Sequence, residues 1–131
     1  MPESNTATRT REAVVKPMAE AALQRHVEAA AKQLGWLCFH TWMSARSEPG
    51  FPDLICLRRG RMIVAELKRD GKRPTVPQER WLDEFRYLAE SANVRRDIVQ
   101  VFVWTPADWE SGLIARVLGG VDYLYDLEEA T

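Results

Sequence analysis

Apolar and polar residues alternate along this chain with two different periods. Apolar residues recur at helical spacing in three segments, which predicts three helices: residues 17–34, 75–88 and 105–118. Short apolar runs rich in β-branched and aromatic residues predict four strands: residues 36–43, 50–57, 61–68 and 98–104. The predicted order of elements along the chain is therefore αβββαβα.

The connections between these segments predict how the strands pair. Only Arg58-Arg59-Gly60 separates the second strand from the third, so the two should form an antiparallel hairpin. The fourth strand follows a crossover helix, which places it parallel to the third. We therefore expect an α/β fold, with a mixed four-stranded sheet flanked by helices.

Three charged residues interrupt the predicted hairpin. Asp53 opens its first strand, whereas Glu66 and Lys68 close its second. Because side chains alternate along a strand, Glu66 and Lys68 share one face, and the hairpin can bring Asp53 beside them. Two buried carboxylates repel each other unless a cation lies between them. Oxygen ligands suit a hard divalent ion, which predicts a site for Mg²⁺ or Mn²⁺. The alternative is a structural salt bridge between Glu66 and Lys68 on an edge strand.

Two further polar residues are candidates for this site. Glu20 falls on the apolar stripe of the first helix and is a possible additional ligand, whereas Glu28 lies nearer the polar side. The alternative role for Glu20 is to stabilise the helix N-terminus through the helix dipole. Gln78 lies on the inward stripe of the second helix, but Thr75-x-x-Gln78 is also a capping-box pattern. The two roles of Gln78 are compatible.

Composition and charge narrow the function classes. With 131 residues and 46% hydrophobic residues, the chain can form one globular domain. A net charge of −1 argues against a protein that coats DNA nonspecifically. Basic residues nevertheless cluster around the acidic pair, where they form either a solvated face or a phosphate-binding surface. The candidates for nucleic-acid contacts are Ser44, Arg46, Ser47, Arg69, Lys72, Arg73 and Arg80.

The rest of the sequence indicates where the protein is located, the state of its cysteines and the nature of its termini. The sequence contains neither a run of membrane-spanning length nor a secretory leader pattern, so we expect a cytoplasmic protein. Cys38 and Cys56 both fall in predicted strands, where we expect free cysteines that act as small hydrophobic residues rather than a disulfide or a zinc site. We expect a flexible arm over residues 1–15 and a tail over residues 121–131.

Three motifs in order resemble the VRR-NUC family of the PD-(D/E)XK nuclease superfamily. They are Pro52-Asp53, Glu66-Leu67-Lys68 and the helix start from Thr75 through Gln78 to Leu82. The resemblance covers roughly residues 18–110. It implies a restriction-endonuclease-like core, and it identifies residues 16–120 as the nuclease domain.

The resemblance also implies an activity, metal-dependent hydrolysis of DNA phosphodiester bonds. The implied catalytic residues are Asp53, Glu66, Lys68 and Gln78. The implied ligands of Mg²⁺ or Mn²⁺ are Asp53, Glu66, the Leu67 carbonyl and Glu20. We expect a homodimer that acts on branched, junction or flap DNA, with no organic cofactor and no membrane partner. The alternative is a DNA-binding or assembly module that keeps the fold without the chemistry.

Overall fold

The predicted α/β architecture is confirmed by the structure of the protein, a computed structural model that describes residues 18–41, 48–92 and 98–120. The elements are α1 (Glu20–Gln33), β1 (Leu37–His40), β2 (Leu54–Arg58), β3 (Arg61–Leu67), α2 (Val76–Ala92), β4 (Val99–Trp104) and α3 (Pro106–Glu110). A further helix, α4, covers residues 113–120. The predicted arm (1–15) and tail (121–131) lie outside the described residues.

The four strands form one sheet in the order β1-β2-β3-β4. β1 and β2 are antiparallel, β2 and β3 are antiparallel, and β4 is parallel to β3, as the connections predict. Arg59 and Gly60 join β2 to β3, with φ angles of 47° and 78°. Positive φ at both central residues is what a two-residue hairpin needs to match the twist of its strands.

The two faces of the sheet are covered by different helices. One face packs against α1 and α4 in a buried apolar cluster that includes Leu23, Ile63 and Ile114. Because side chains alternate, Val64 and Glu66 of β3 point to the opposite face. There α2, with its buried Leu82, contacts β3 and β4. The acidic residue therefore lies on the α2 face.

The C-terminal helical region differs from the single predicted helix. Gly112, at φ 83°, ends the first part, and the chain is helical again through residue 120, past the predicted end at residue 118. A left-handed residue cannot continue an α-helix, so α3 and α4 are separate. Among the described residues, no helix is long and apolar enough to cross a membrane.

Candidate metal centre

The β2–β3 ladder brings Asp53 opposite Glu66. Leu54 pairs with Ala65, so the next position in the same register pairs Asp53 with Glu66. The Leu67 amide donates a 2.8 Å hydrogen bond to Oδ2 of Asp53, which fixes that carboxylate at the end of β3. Residues directly opposite each other in an antiparallel pair project to the same face. The two carboxyl groups therefore meet on the α2 face of the sheet.

Glu66 is buried without a full set of partners. Its side chain is 1% exposed, and its Oε2 atom has no hydrogen-bond partner. Burial, and then the neighbouring carboxyl group of Asp53, raise the pKa of Glu66 to about 9, while the Lys68 ammonium opposes this rise. A buried carboxylate oxygen without a partner is costly. The pair is therefore an arrangement that a proton or a bound cation would stabilise.

Lys68 follows β3 at the same end of the sheet. Its amide donates a 2.9 Å hydrogen bond to the Trp104 carbonyl, which extends the β3–β4 ladder by one residue and keeps the alternation that puts Lys68 on the face of Glu66. Across the described ranges no ion pair joins Glu66 to Lys68; the ion pairs there involve Arg86. Since β3 lies between β2 and β4, the edge-strand salt bridge considered above is not formed.

The first turns of α2 contact the segment of chain that leads into Asp53. Gly50 has φ 88°, and a Cβ atom there would lie 2.5 Å from the carbonyl carbon of Pro77 and 2.6 Å from its oxygen. Trp81 Nε1 donates a 3.1 Å hydrogen bond to the Pro49 carbonyl, and Phe51 packs edge-on against Trp81 with centroids 5.1 Å apart. Sequence reasoning identified neither Gly50 nor Trp81 as positioning residues, because only the fold brings them together.

The capping role of Gln78 is present in the structure. Its Oε1 accepts a 2.8 Å hydrogen bond from the Thr75 amide, and its own amide donates to Thr75 Oγ1 at 3.4 Å. This reciprocal pair satisfies amide groups that the first turn of a helix otherwise leaves unpaired. The Gln78 side chain is half-buried, and a catalytic role for its amide nitrogen stays a prediction.

Glu20 does not join the acidic pair. Its side chain is exposed, so the inward position predicted for it is wrong, whereas Leu23 and Val27 of the same helix are buried. No group of three or more His, Cys, Asp and Glu side chains that could hold a metal ion occurs within residues 18–41, 48–92 and 98–120. The helix-dipole role fits the position of Glu20 in the first turn of α1. Its role as a ligand stays a prediction.

The predicted nucleic-acid-binding residues divide into two groups. Those in the β3–α2 connection and on α2 are exposed: Arg69, Lys72, Arg73 and Arg80. The connection is anchored by Asp70, whose Oδ1 accepts a 3.0 Å hydrogen bond from the Ala107 amide at the start of α3. The other group lies outside the described residues: Ser44, Arg46 and Ser47. DNA contact by either group stays a prediction.

The atoms at the end of β3 fit a hard divalent cation. Asp53 and Glu66 supply carboxylate oxygens, and the unpaired Oε2 of Glu66 needs a positively charged or hydrogen-bonding partner. The Leu67 amide points toward Asp53. In an extended residue the carbonyl points to the same side as the amide, so the Leu67 carbonyl faces the carboxylates as well.

Comparison with known proteins identifies the family. A solved structure described as a VRR_NUC domain aligns with this chain at a TM-score of 0.52 and 25% sequence identity, covering 72% of this chain and 92% of that one. We assign the chain to the VRR-NUC family. The predicted family and the predicted restriction-endonuclease-like fold of this VRR-NUC domain are thereby confirmed. No family model matches the sequence, and a search of curated proteins gives no match.

Proposed function

We propose that this VRR-NUC domain is a divalent-metal-dependent nuclease that hydrolyses phosphodiester bonds in DNA. The family supports the reaction class, because VRR-NUC domains are nuclease domains. The observation that supports metal dependence is the buried, unpaired Oε2 of Glu66 beside the Asp53 carboxyl group. A carboxylate pair of this kind is poorly satisfied by protein groups alone and suits Mg²⁺ or Mn²⁺.

In this proposal, Asp53, Glu66 and the Leu67 carbonyl hold the ion. Asp53 is held in place through Oδ2 by the Leu67 amide, which leaves Oδ1 available as a ligand. Glu66 must release its proton to serve as a ligand, because its pKa is raised to about 9 by burial and by Asp53. A bound Mg²⁺ or Mn²⁺ would polarise the scissile phosphate and lower the pKa of the attacking water.

Lys68 and Gln78 complete the proposed catalytic group. The half-buried Lys68 extends from the end of β3 on the side of Glu66, where its ammonium can orient the attacking water and neutralise a phosphate oxygen. Gln78 stands at the start of α2, and its amide nitrogen is a donor that the capping bond does not use. Lys68 therefore carries the charge that stabilises the reacting phosphate, and Gln78 assists in positioning.

Exposed basic residues support DNA as the substrate. Arg69, Lys72 and Arg73 lie on the connection that follows Lys68, and Arg80 lies on α2. Cations of this kind contact phosphates irrespective of base sequence. We therefore propose that the enzyme selects branched, junction or flap DNA by its shape rather than by its sequence.

A homodimer would provide the second site that cutting both strands requires. Each chain has one proposed centre, and a two-fold pair of chains matches a two-fold DNA substrate. Leu37 is 72% exposed, Phe39 is 61% exposed and Leu57 is 43% exposed. The three share one face of the sheet, at the edge formed by β1, because Leu37 pairs with Leu57 and Phe39 is two residues from Leu37. An apolar face of this kind supports association between two copies.

A cleavage panel tests this function. Purified protein is incubated with labelled linear, flap and four-way-junction DNA in Mg²⁺, Mn²⁺ or EDTA, and light scattering measures its mass in solution. We expect cleavage of a branched substrate with either metal, none in EDTA, and the mass of a dimer. DNA binding without cleavage would instead identify the non-catalytic module. Cleavage that persists in EDTA would contradict the proposed mechanism.

A further inference from the structure

The register of β1 and β2 places the two cysteines of the chain directly opposite each other. Cys38 pairs with Cys56, and the Thr41 amide donates a 2.9 Å hydrogen bond to the Asp53 carbonyl in the same register. Thr41 and Asp53 are therefore a hydrogen-bonded pair. Because such pairs alternate with non-hydrogen-bonded pairs along an antiparallel ladder, Cys38 and Cys56 form a non-hydrogen-bonded pair, in which side chains lie closest.

We propose that Cys38 and Cys56 form a reversible intrachain disulfide when the protein meets a hydroperoxide. Their Sγ atoms are 3.4 Å apart, and the Cys56 thiol donates to the Cys38 sulfur. In non-hydrogen-bonded pairs the Cα atoms are about 4.5 Å apart, which falls within the roughly 4.4–6.8 Å range of disulfides. Both thiols are free in the structure, as the sequence analysis expects. Oxidation therefore needs no rearrangement of the strands.

The two thiols differ in access and reactivity. Cys38 is half-exposed and lines a surface cleft of about 490 Å³, whereas Cys56 is completely buried. The hydrogen bond from Cys56 lowers the pKa of Cys38; burial and the charge of Glu28 oppose this effect, and Lys32 adds to it. The same hydrogen bond and burial raise the pKa of Cys56. Cys38 is therefore the thiol that reacts first, since the thiolate is the nucleophile.

The oxidation proceeds in two balanced steps. The Cys38 thiolate attacks one oxygen of hydrogen peroxide, the O–O bond breaks, and the hydroxide that leaves takes up a proton to become water. The resulting sulfenic acid of Cys38 is then attacked by the Cys56 sulfur, which forms the S–S bond. The sulfenic oxygen leaves as a second water with the Cys56 proton. Two thiols are oxidised by two electrons, and the peroxide is reduced to two waters.

The experiment follows the thiols of the full chain directly and does not rest on the proposed nuclease function. Reduced protein is treated with stoichiometric hydrogen peroxide, blocked with N-ethylmaleimide and digested with trypsin. Cleavage after Lys32, Arg46 and Arg58 puts the two cysteines on separate peptides, and the chain has no others. We expect a linked peptide pair lighter by two hydrogens than the reduced peptides, from protein that runs as a single chain on a non-reducing denaturing gel, and its loss on adding dithiothreitol. Full labelling of both thiols, or links between chains only, would overturn the proposal.

Two variants test the order of attack. Without a resolving thiol, Cys56→Ala protein should accumulate Cys38 sulfenic acid that dimedone traps. Cys38→Ala protein should leave the buried Cys56 unlabelled by dimedone while folded. Dimedone labelling of Cys38→Ala at the level of Cys56→Ala would contradict the assignment of Cys38 as the reactive thiol. If Cys56→Ala does not fold, the wild type and Cys38→Ala still decide the outcome.

Discussion

Two cross-strand pairs, one within β2 and one at the residue just before it, use the same ladder geometry for different chemistry. Asp53 faces Glu66 across the β2–β3 ladder, and Cys56 faces Cys38 across the β1–β2 ladder. Asp53 and Cys56 are three positions apart, so they project to opposite faces of the sheet. In the thiol pair, Cys56 donates a hydrogen bond to the Cys38 sulfur. In the carboxyl pair, Oε2 of Glu66 is left without a partner, and burial and Asp53 raise the pKa of Glu66 to about 9. The thiol pair is therefore satisfied within the protein, whereas the carboxyl pair is one that a proton or a bound cation would stabilise.

Substituting one residue of each pair should give the largest difference in the rate of DNA cleavage. Glu66→Gln keeps the size of the side chain but removes a charged ligand, so we expect cleavage of DNA to fall on the order of 10³-fold. Cys38→Ala should change the rate by less than about twofold, because that pair lies on the other side of the sheet. Steady-state cleavage with Mg²⁺ measures both, with the exposed Glu90→Gln as a matched control. Near-normal activity of folded Glu66→Gln would contradict the assignment.

The segment of chain that leads into Asp53 makes a close contact with α2 at Gly50. In Gly50→Ala, the new Cβ would lie 2.5 Å from the Pro77 backbone, so we expect a loss of about 3 kcal/mol in the free energy of unfolding. Gly71→Ala is the matched control, since Gly71 has φ 79° and no atom within 4 Å of the added Cβ. It should lose about 1 kcal/mol, from the positive φ alone. Urea unfolding distinguishes the two; equal losses would show that the contact is unimportant.

The raised pKa of Glu66 predicts a smaller, pH-dependent effect in metal-free protein. Burial and Asp53 raise this pKa from about 4.5 to about 9, so between these values the folded state holds more protons than the unfolded state. Stability should therefore fall as pH rises through this window, with a slope of up to about 1.4 kcal/mol per pH unit. Urea unfolding in EDTA at several pH values measures the slope. Glu66→Gln should reduce it, and an unchanged slope would show that another group is responsible.

The order of elements and the hairpin could be predicted because they follow from local patterns. Periodicity and the Arg59-Gly60 turn defined the strands, and the crossover rule gave the direction of β4. The division of the last helix could not be predicted, since its apolar spacing continues on both sides of Gly112. Glycine is tolerated inside helices at modest cost, so tertiary packing decides whether it ends one.

The candidate site was predictable only where alternation along a hairpin determines it. Asp53, Glu66 and Lys68 share a face for that reason. The exposure of Glu20 depends on how α1 rotates on the sheet, which its mixed stripe leaves open. The Cys38–Cys56 pair depends on the register between β1 and β2, and a shift of one residue would separate the two sulfurs. A long connection precedes β2, so no short turn fixes that register from the sequence.

The most direct test of the central claim is anomalous diffraction from crystals of the full chain grown with Mn²⁺. The proposed centre predicts a manganese peak between the carboxylates of Asp53 and Glu66, within ligand distance of the Leu67 carbonyl. The same peak should be absent from crystals of Glu66→Gln. Well-ordered carboxylates without manganese between them, at saturating Mn²⁺, would contradict the claim that this pair is a metal site.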